Sequence, residues 1–307
     1  MNKYDYSGLI LLNKPAGITS HTALSAIKKI VKPLKVGHCG TLDKFAEGLL
    51  LVLTGYCTKL ADYFSSGDKE YSGIIEFGKE TDTLDPEGNI VFRGIIPEKK
   101  IIEDSINKFI GEIEQIPPNY SAVHVNGKRA YKLALEGKAD YLKPRIIKIN
   151  DIKLIEYEPP NAKAVISCGK GTYIRSLARD LGRKCGTYAY LKCLRREKSG
   201  SFEVKNACDI ENFDPNIHII KPFNFLTRLN DINIILVDDT KAKKILNGIP
   251  FNGDSRASDE KKYFAIFSLE EKFLAFGIRR DNKYFYKFIV PKEDENITSV
   301  KERIEAR

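Results

Sequence analysis

The chain has 307 residues, 50 Lys or Arg against 41 Asp or Glu, a formal net charge of +9, and 42% hydrophobic residues. That length allows one large or two ordinary domains with a sizeable core. It contains no run of about eighteen apolar residues and no basic-then-apolar N-terminus, which argues against a membrane span or secretory leader and for a cytoplasmic protein. The cysteines at 39, 57, 168, 185, 193 and 208 form no C-x-x-C pair and make no metal spacing with the four histidines, so neither a disulfide framework nor a zinc site is expected.

Taken in chain order, the pattern alternates between α and β. Residues 9–13 (LILLN) read as a strand, and Thr19 or Ser20 is placed to cap a helix with Leu24, Ile27 and Val31 on its apolar face. Residues 49–53 read as a second buried strand, and Thr58 as the cap of a short helix reaching about Phe64. A strand over 70–77 is followed by the turn TDTLDPEGN and the return NIVF, which suggests a hairpin with a long loop. Ile101, Ile102, Ser105, Ile106, Phe109 and Ile110 have helical period, while 145–157 and 162–168 alternate like strands joined at Pro159-Pro160. The expected fold of residues 1–230 is α+β around a mixed, mostly antiparallel central sheet flanked by helices.

A helix from about Thr172 to Cys185 gathers Ile174, Leu177, Ala178 and Leu181 on one face and Arg175, Arg179 and Arg183 on another. The second stripe is placed to meet phosphate, and Arg175, in the first turn after C-G-K-G-T, to reach a carboxylate instead. Charge is concentrated here. Residues 163–200 hold ten Lys or Arg against two acids, whereas 80–114 hold nine acids against four bases. A local basic patch of this kind suits a polyphosphate partner.

Beyond residue 230 the character changes. Residues 231–290 read as a short helix followed by alternating aromatic-rich strands, separated by the polar loop NGDSRASDEKK, and make a small β-rich domain; 291–307 form a charged tail.

The most informative stretch is GHCGTLDKFAEGLL, residues 37–50, which sets one carboxylate, Asp43, among Gly37, Gly40 and Gly48. Glycines at this density allow positive φ and close approach of another molecule. An aspartate in a tight turn also bonds its own backbone, and this stretch alone does not separate the two uses.

Together with LILLNKPAGITSH (9–21), KEYSGIIEFGKETDTLDPEG (69–88), PPNYSAVHVNGKRAYKLALEG (117–137), CGKGTYIRSLARDLG (168–182) and LKCLRREKSGSF (191–202), it resembles, in family order, the motifs of the TruB family of tRNA pseudouridine synthases. The resemblance covers about residues 8–202. It implies the pseudouridine synthase fold and isomerisation of uridine 55 in the tRNA T-loop, with no cofactor and no metal. Asp43 matches the family's reacting aspartate, Arg175 its ion-pair partner, and Tyr71 the tyrosine that stacks on the target base. Leu194 matches the apolar residue that closes the pocket, and Tyr173 and His38 match substrate contacts, His38 being placed to fill the gap left by a flipped base. Arg179, on the basic stripe, is expected to bind substrate. Lys14 and Lys59 match lysines read as structural or phosphate-contacting.

Lys44 stands where the family has proline, Glu47 where it has a small hydroxylated residue, His124 where lysine is frequent and Cys39 where threonine is frequent. The C-terminal domain resembles the PUA-like RNA-binding module. The expected partner is tRNA through its T-stem-loop, bound by a monomer without a protein partner or membrane. Two alternatives stand beside this reading: a non-catalytic tRNA-binding or RNA-folding protein, and a pseudouridine synthase acting on another RNA.

Overall fold

The computed structural model describes residues 6–120, 124–125, 128–129, 142–251, 261–281 and 283–291. They fall in two compact units: the larger comprises residues 10–53 and 60–218, the smaller 1–9, 54–59 and 219–307. The expected boundary at 230 therefore lies inside the smaller unit, which takes two short pieces from the N-terminal third of the chain.

Strand β1 (Gly8–Lys14) leads to helix α1 (Ser20–Ile30), β2 (Val36–Cys39) and β3 (Glu47–Thr54). Thr19 caps α1, its side chain accepting from the Thr22 amide, and Ala23 and Ile27 are buried. Helix α2 (Ala61–Ser66), strand β4 (Lys69–Phe77), β5 (Lys79–Thr81) and β6 (Ile90–Arg93) follow. Thr58 is not the cap of α2. It lies in a 3-10 turn, Gly55–Leu60, and its hydroxyl donates to the Gly55 carbonyl three residues back. The hairpin over 79–93 forms, but as a separate two-stranded sheet of β5 and β6.

Helix α3 (Lys99–Ile106) buries Ile102, Ser105 and Ile106; Ile101, one step round the helix from Ile102, stays exposed, as does Ile110, which follows a 3-10 turn at Asn107–Phe109 that shifts the periodic face. Then come β7 (Gly111–Gln115), the short pair β8 (His124–Val125) and β9 (Lys128–Arg129), β10 (Arg145–Glu158), β11 (Asn161–Cys168), helix α4 (Ile174–Lys184), β12 (Ala189–Ser199), β13 (Phe202–Glu203), β14 (Cys208–Asp209) and the one-turn α5 (Pro215–His218). The backbone strand of His124 is all that is described there; its side chain and most of the 117–137 motif lie outside the described residues.

The main sheet runs β14-β1-β3-β12-β4-β11-β10-β7, with β13 on β12 and β2 on β3. The β4–β12, β4–β11, β10–β11 and β7–β10 pairs are antiparallel, and β1–β14 and β3–β12 parallel. It is the mixed, mostly antiparallel sheet the alternation implied. One cross-strand row orders the centre: Gly48 pairs with Arg196, Arg196 with Tyr71, and Tyr71 with Ile166. Residues opposite one another across neighbouring strands share a face. Helix α4 packs against β12 and contributes Ile174, Leu177, Ala178 and Leu181 to a core with Ile75, Phe77, Ile149, Ile166 and Leu191.

In the smaller unit, helix α6 (Pro222–Leu226) precedes β15 (Ile232–Val237), α7 (Asp239–Leu246), β16 (Tyr263–Ser268), β17 (Phe273–Arg280) and β18 (Lys283–Ile289). The four strands form one sheet in chain order, β15 parallel to β16 and the rest antiparallel. The expected short helix is α7, but a strand precedes it: INIILV is short, β-branched and pairs along its full length with β16. The polar loop lies mostly outside the described residues. Lys59 sits here, its ammonium 5.6 Å from the centre of the Phe288 ring.

Candidate active site

Asp43 lies on the loop between β2 and β3, and each backbone carbonyl from Gly40 to Lys44 is tied. Ser20, at the start of α1, donates to the Leu42 carbonyl and accepts from the Leu42 amide, both at 2.9 Å. The Gly17 amide donates to the Lys44 carbonyl at 2.8 Å, and Ala46 to that of Asp43 at 3.2 Å. Arg196 Nη1 donates to the Gly40 carbonyl at 3.1 Å and the Leu49 carbonyl at 3.2 Å, and its Nη2 donates to Thr41 at 2.8 Å.

Gly40 and Gly48 hold the loop's left-handed positions, φ +88° and +101°; a Cβ on Gly48 would stand 2.5 Å from the Arg196 carbonyl oxygen. Gly37 takes no such conformation. Two of the four residues that depart from the family pattern form ion pairs, Lys44 with Glu87 at 2.7 Å and Glu47 with Arg195 at 3.0 Å. Both pairs are largely exposed and hold geometry more than they stabilise.

The Asp43 carboxylate is 39% exposed and faces a guanidinium that is 4% exposed. Arg175 Nη2 donates to Oδ1 at 3.1 Å, and Nε stands 2.9 Å from Oδ2, off the line of its N–H. The same guanidinium donates through Nη1 to Asp85 Oδ2 at 3.1 Å and the Thr83 carbonyl at 2.9 Å, and through Nη2 to the Tyr120 carbonyl at 3.0 Å. One buried cation thus serves two carboxylates. Asp85 is itself held by the Thr83 hydroxyl and the Glu87 amide. Burial still raises its carboxyl above the ordinary aspartate range, against the pull of those bonds and of Arg175.

Asp43, Tyr71, Tyr173, Arg175 and Leu194 line one cleft of about 280 Å³ together with Lys69, Thr172 and Arg196. The motifs at 37–50, 69–88, 168–182 and 191–202 therefore converge on one place. Tyr71 is buried, and burial pushes its hydroxyl up; the Arg196 guanidinium lies 5.6 Å from its ring centre and opposes that shift. Tyr173 is the residue before α4, held by a two-way clamp in which its amide donates to Gln115 Oε1 at 2.8 Å and its carbonyl accepts from Gln115 Nε2 at 3.1 Å.

Two expected site residues stand elsewhere. Arg179 is buried, donating to the Ile116 carbonyl at 3.0 Å and to Asp180 at 2.8 Å. It faces the protein and not a phosphate, because the second face of α4 meets the end of β7. His38, on β2, is half-buried and outside the cleft lining; its Nδ1 is enclosed without a hydrogen-bond partner among the described residues, and burial, then Arg196 and His21, lower its pKa.

Lys14 is buried, donating to the carbonyls of Pro15 at 2.9 Å and Ile18 at 2.7 Å, and burial brings its pKa down to about 8. The basic patch is also less bare than its composition implied. Arg183 pairs with Glu80, Lys192 with Glu76, Arg195 with Glu47 and Lys198 with Glu70. Among the described residues no three His, Cys, Asp or Glu side chains gather as a metal-ligand set, and no helix is long and apolar enough to cross a membrane.

Sequence reasoning missed Asp85, Gln115, Lys69 and Arg196. One signal was present: Arg196 is two residues after Leu194 on a strand, and so on the same face.

A family model described as "TruB family pseudouridylate synthase (N terminal domain)" matches residues 28–174. The "tRNA pseudouridine synthase B" of Borreliella burgdorferi (strain ZS7) is 41% identical over 288 residues, 92% of this chain and 99% of that protein. That of Clostridium kluyveri is 37% identical over 281 residues, 90% and 97% of the two chains. A solved Cbf5-Nop10-Gar1 complex contains a chain similar in fold, with TM-score 0.67 and 24% identity over 94% of this chain and 88% of that one. With a relative so similar along nearly the whole of both sequences, and the family's motifs meeting at a single cleft, the chain belongs to the TruB family of pseudouridine synthases.

Proposed function

We propose that this chain isomerises uridine 55 in the T-loop of tRNA to pseudouridine, with Asp43 as the reacting carboxylate. The observation that carries the reading is the Asp43–Arg175 ion pair at the cleft, where a half-exposed carboxylate is aimed by a buried guanidinium. Such a group is suited to add to C6 of uracil, capture the ribose anomeric carbon, or remove a sugar proton. Tyr71 offers a ring to the flipped base, Leu194 closes over it, and Tyr173 contacts the substrate. His38 fills the space the base vacates. The smaller unit acts as a PUA-like RNA-binding module. The protein works in the cytoplasm as a monomer without a protein partner, since every group named belongs to this one chain.

The test is incubation with unmodified tRNA transcript, followed by carbodiimide treatment and primer extension. The parent is expected to yield one stop, at the T-loop uridine. Asp43→Asn is expected to yield none while binding tRNA within about three-fold of the parent, because one carboxylate is removed and the RNA-facing charge is left in place. Turnover by the Asn variant comparable to the parent would overturn the assignment, and tRNA binding by a parent without turnover would favour a non-catalytic RNA-binding protein.

A further inference from the structure

The cleft holds two cations that have no counter-ion among the described residues. Arg196 is 2% exposed and Lys69 8%. Arg196 donates to the backbone carbonyls of Gly40, Thr41 and Leu49 and interacts with the Tyr71 hydroxyl, and its buried Nε has no partner among the described residues. Lys69 donates only to the carbonyls of Ser65 and Gly67. Neither forms an ion pair with a carboxylate of the described residues. The nearby Asp68 is an exposed residue, with its carboxylate bonded to the Asn150 amide.

Arg175, by contrast, is shared by two carboxylates. Tethering loop carbonyls does not require a full charge, and burying one without an acid is costly. Both cations are too enclosed to clasp a backbone phosphate. What remains for them is an anion that arises inside the cleft.

We propose that Arg196, with Lys69, stabilises the negative charge that develops on uracil as it leaves the ribose. This rests on the function proposed above. Breaking the N1–C1′ bond leaves its electron pair on uracil, giving an anion delocalised over N1, O2 and O4. C1′ is meanwhile taken up by the Asp43 carboxylate, or loses its neighbouring C2′ proton to it. The anion then bonds to C1′ through C5 as the C1′–O bond to Asp43 breaks or, on the other route, as Asp43 returns the proton to C2′; the C5 proton departs and N1 gains a proton, so the sum is an isomerisation. Fixed positive charge in a water-poor site favours the separated pair over the starting nucleoside. The row Gly48–Arg196–Tyr71 puts the guanidinium beside the ring on which the base would stack.

The experiment compares tRNAs ligated from a synthetic T-arm carrying either uridine or 5-fluorouridine at the target, with loss of the starting nucleoside followed by chromatography of nuclease digests at saturating enzyme. Fluorine withdraws electrons and makes the departing anion more stable by itself, so it lessens the need for the cations. Arg196→Gln is expected to slow uridine roughly 100-fold but 5-fluorouridine at least five-fold less than that, with tRNA affinity within about two-fold. Arg196→Lys, which keeps the charge but loses the forked tethers, is expected to keep the parent's ratio between the two substrates even where both rates fall.

A purely structural role slows both substrates equally, and equal penalties in Arg196→Gln would overturn the proposal. Should that variant not fold, Lys69→Gln carries the same comparison, and equal penalties there would overturn it as well. A parent inactive on both tRNAs would instead overturn the function on which the proposal rests.

Discussion

Asp43, Tyr71, Tyr173, Arg175 and Leu194 were picked out because each sits in a motif that resembles the family's, and the fold brings the five to one cleft. Asp85 was not, since its link to Arg175 spans 90 residues and is made only by the fold. Asp85→Asn is expected to lower the single-turnover rate about ten-fold, or about 1.4 kcal/mol of transition-state stabilisation, with tRNA affinity within two-fold. The asparagine keeps an acceptor for Arg175 but leaves Asp43 as its only charged partner. A rate equal to the parent's would show that the second carboxylate is merely structural.

Lys14 gives a pH prediction. Its pKa is lowered to about 8 in the fold from an ordinary 10.5. Between these values the unfolded chain holds a proton that the native one has released, so stability rises with pH across that window. The effect is at most about 3 kcal/mol, using 1.36 kcal/mol per pKa unit. Denaturant titrations at pH 8 and pH 10 should show the parent gaining stability relative to Lys14→Met.

At the scale of elements, α4 shows what periodicity reads and what it misses. Its apolar face was assigned correctly, and Arg175 reaches a carboxylate as expected, but of the two arginines expected to meet phosphate Arg179 is buried and Arg183 pairs with Glu80. A 100° wheel tells which residues share a face, not whether a second wall stands against it. Here β7 and the chain after it supply that wall, through Gln115 to Tyr173 and through the Ile116 carbonyl to Ser176 and Arg179. Arg179→Ala is therefore expected to destabilise the fold by about 1 kcal/mol, since it removes one charged donor from the Ile116 carbonyl, which keeps the Ser176 hydroxyl. Its tRNA affinity, measured well below the melting transition, should stay within two-fold of the parent. A many-fold weaker affinity in a variant of unchanged melting temperature would restore Arg179 to the RNA surface. The cap of α1 was legible for the converse reason: Thr19 and Thr22 are three residues apart, and capping is local.

Over the whole molecule, linear domain boundaries misjudge a chain that returns to itself. The smaller unit joins Gly8 to Thr54 by a 3.0 Å bond and Leu9 to Ile220 by an antiparallel bridge, and packs Tyr56 against Phe273 at 6.0 Å. No pattern within residues 231–290 reveals such partners. Truncation near 230 would strip its sheet from those segments, so lost activity after truncation would not distinguish an RNA contact from damaged folding. Charge offers a cleaner test.

Helix α7 presents Lys241, Lys243 and Lys244 to solvent, while Ala242 and Ile245 are buried. If the smaller unit touches parts of tRNA beyond the T-arm, neutralising Lys243 and Lys244 to Gln should raise the KM for full-length tRNA roughly three- to ten-fold at low salt. It should leave kcat and the KM for an isolated T-stem-loop hairpin unchanged, and flatten the salt dependence of tRNA affinity by about one to two counterions. The intact chain is expected to modify the hairpin, because the cleft groups all belong to the larger unit. A KM raised equally on hairpin and full-length tRNA would place these lysines at the T-arm instead, and no change on either would remove this face of the smaller unit from tRNA recognition.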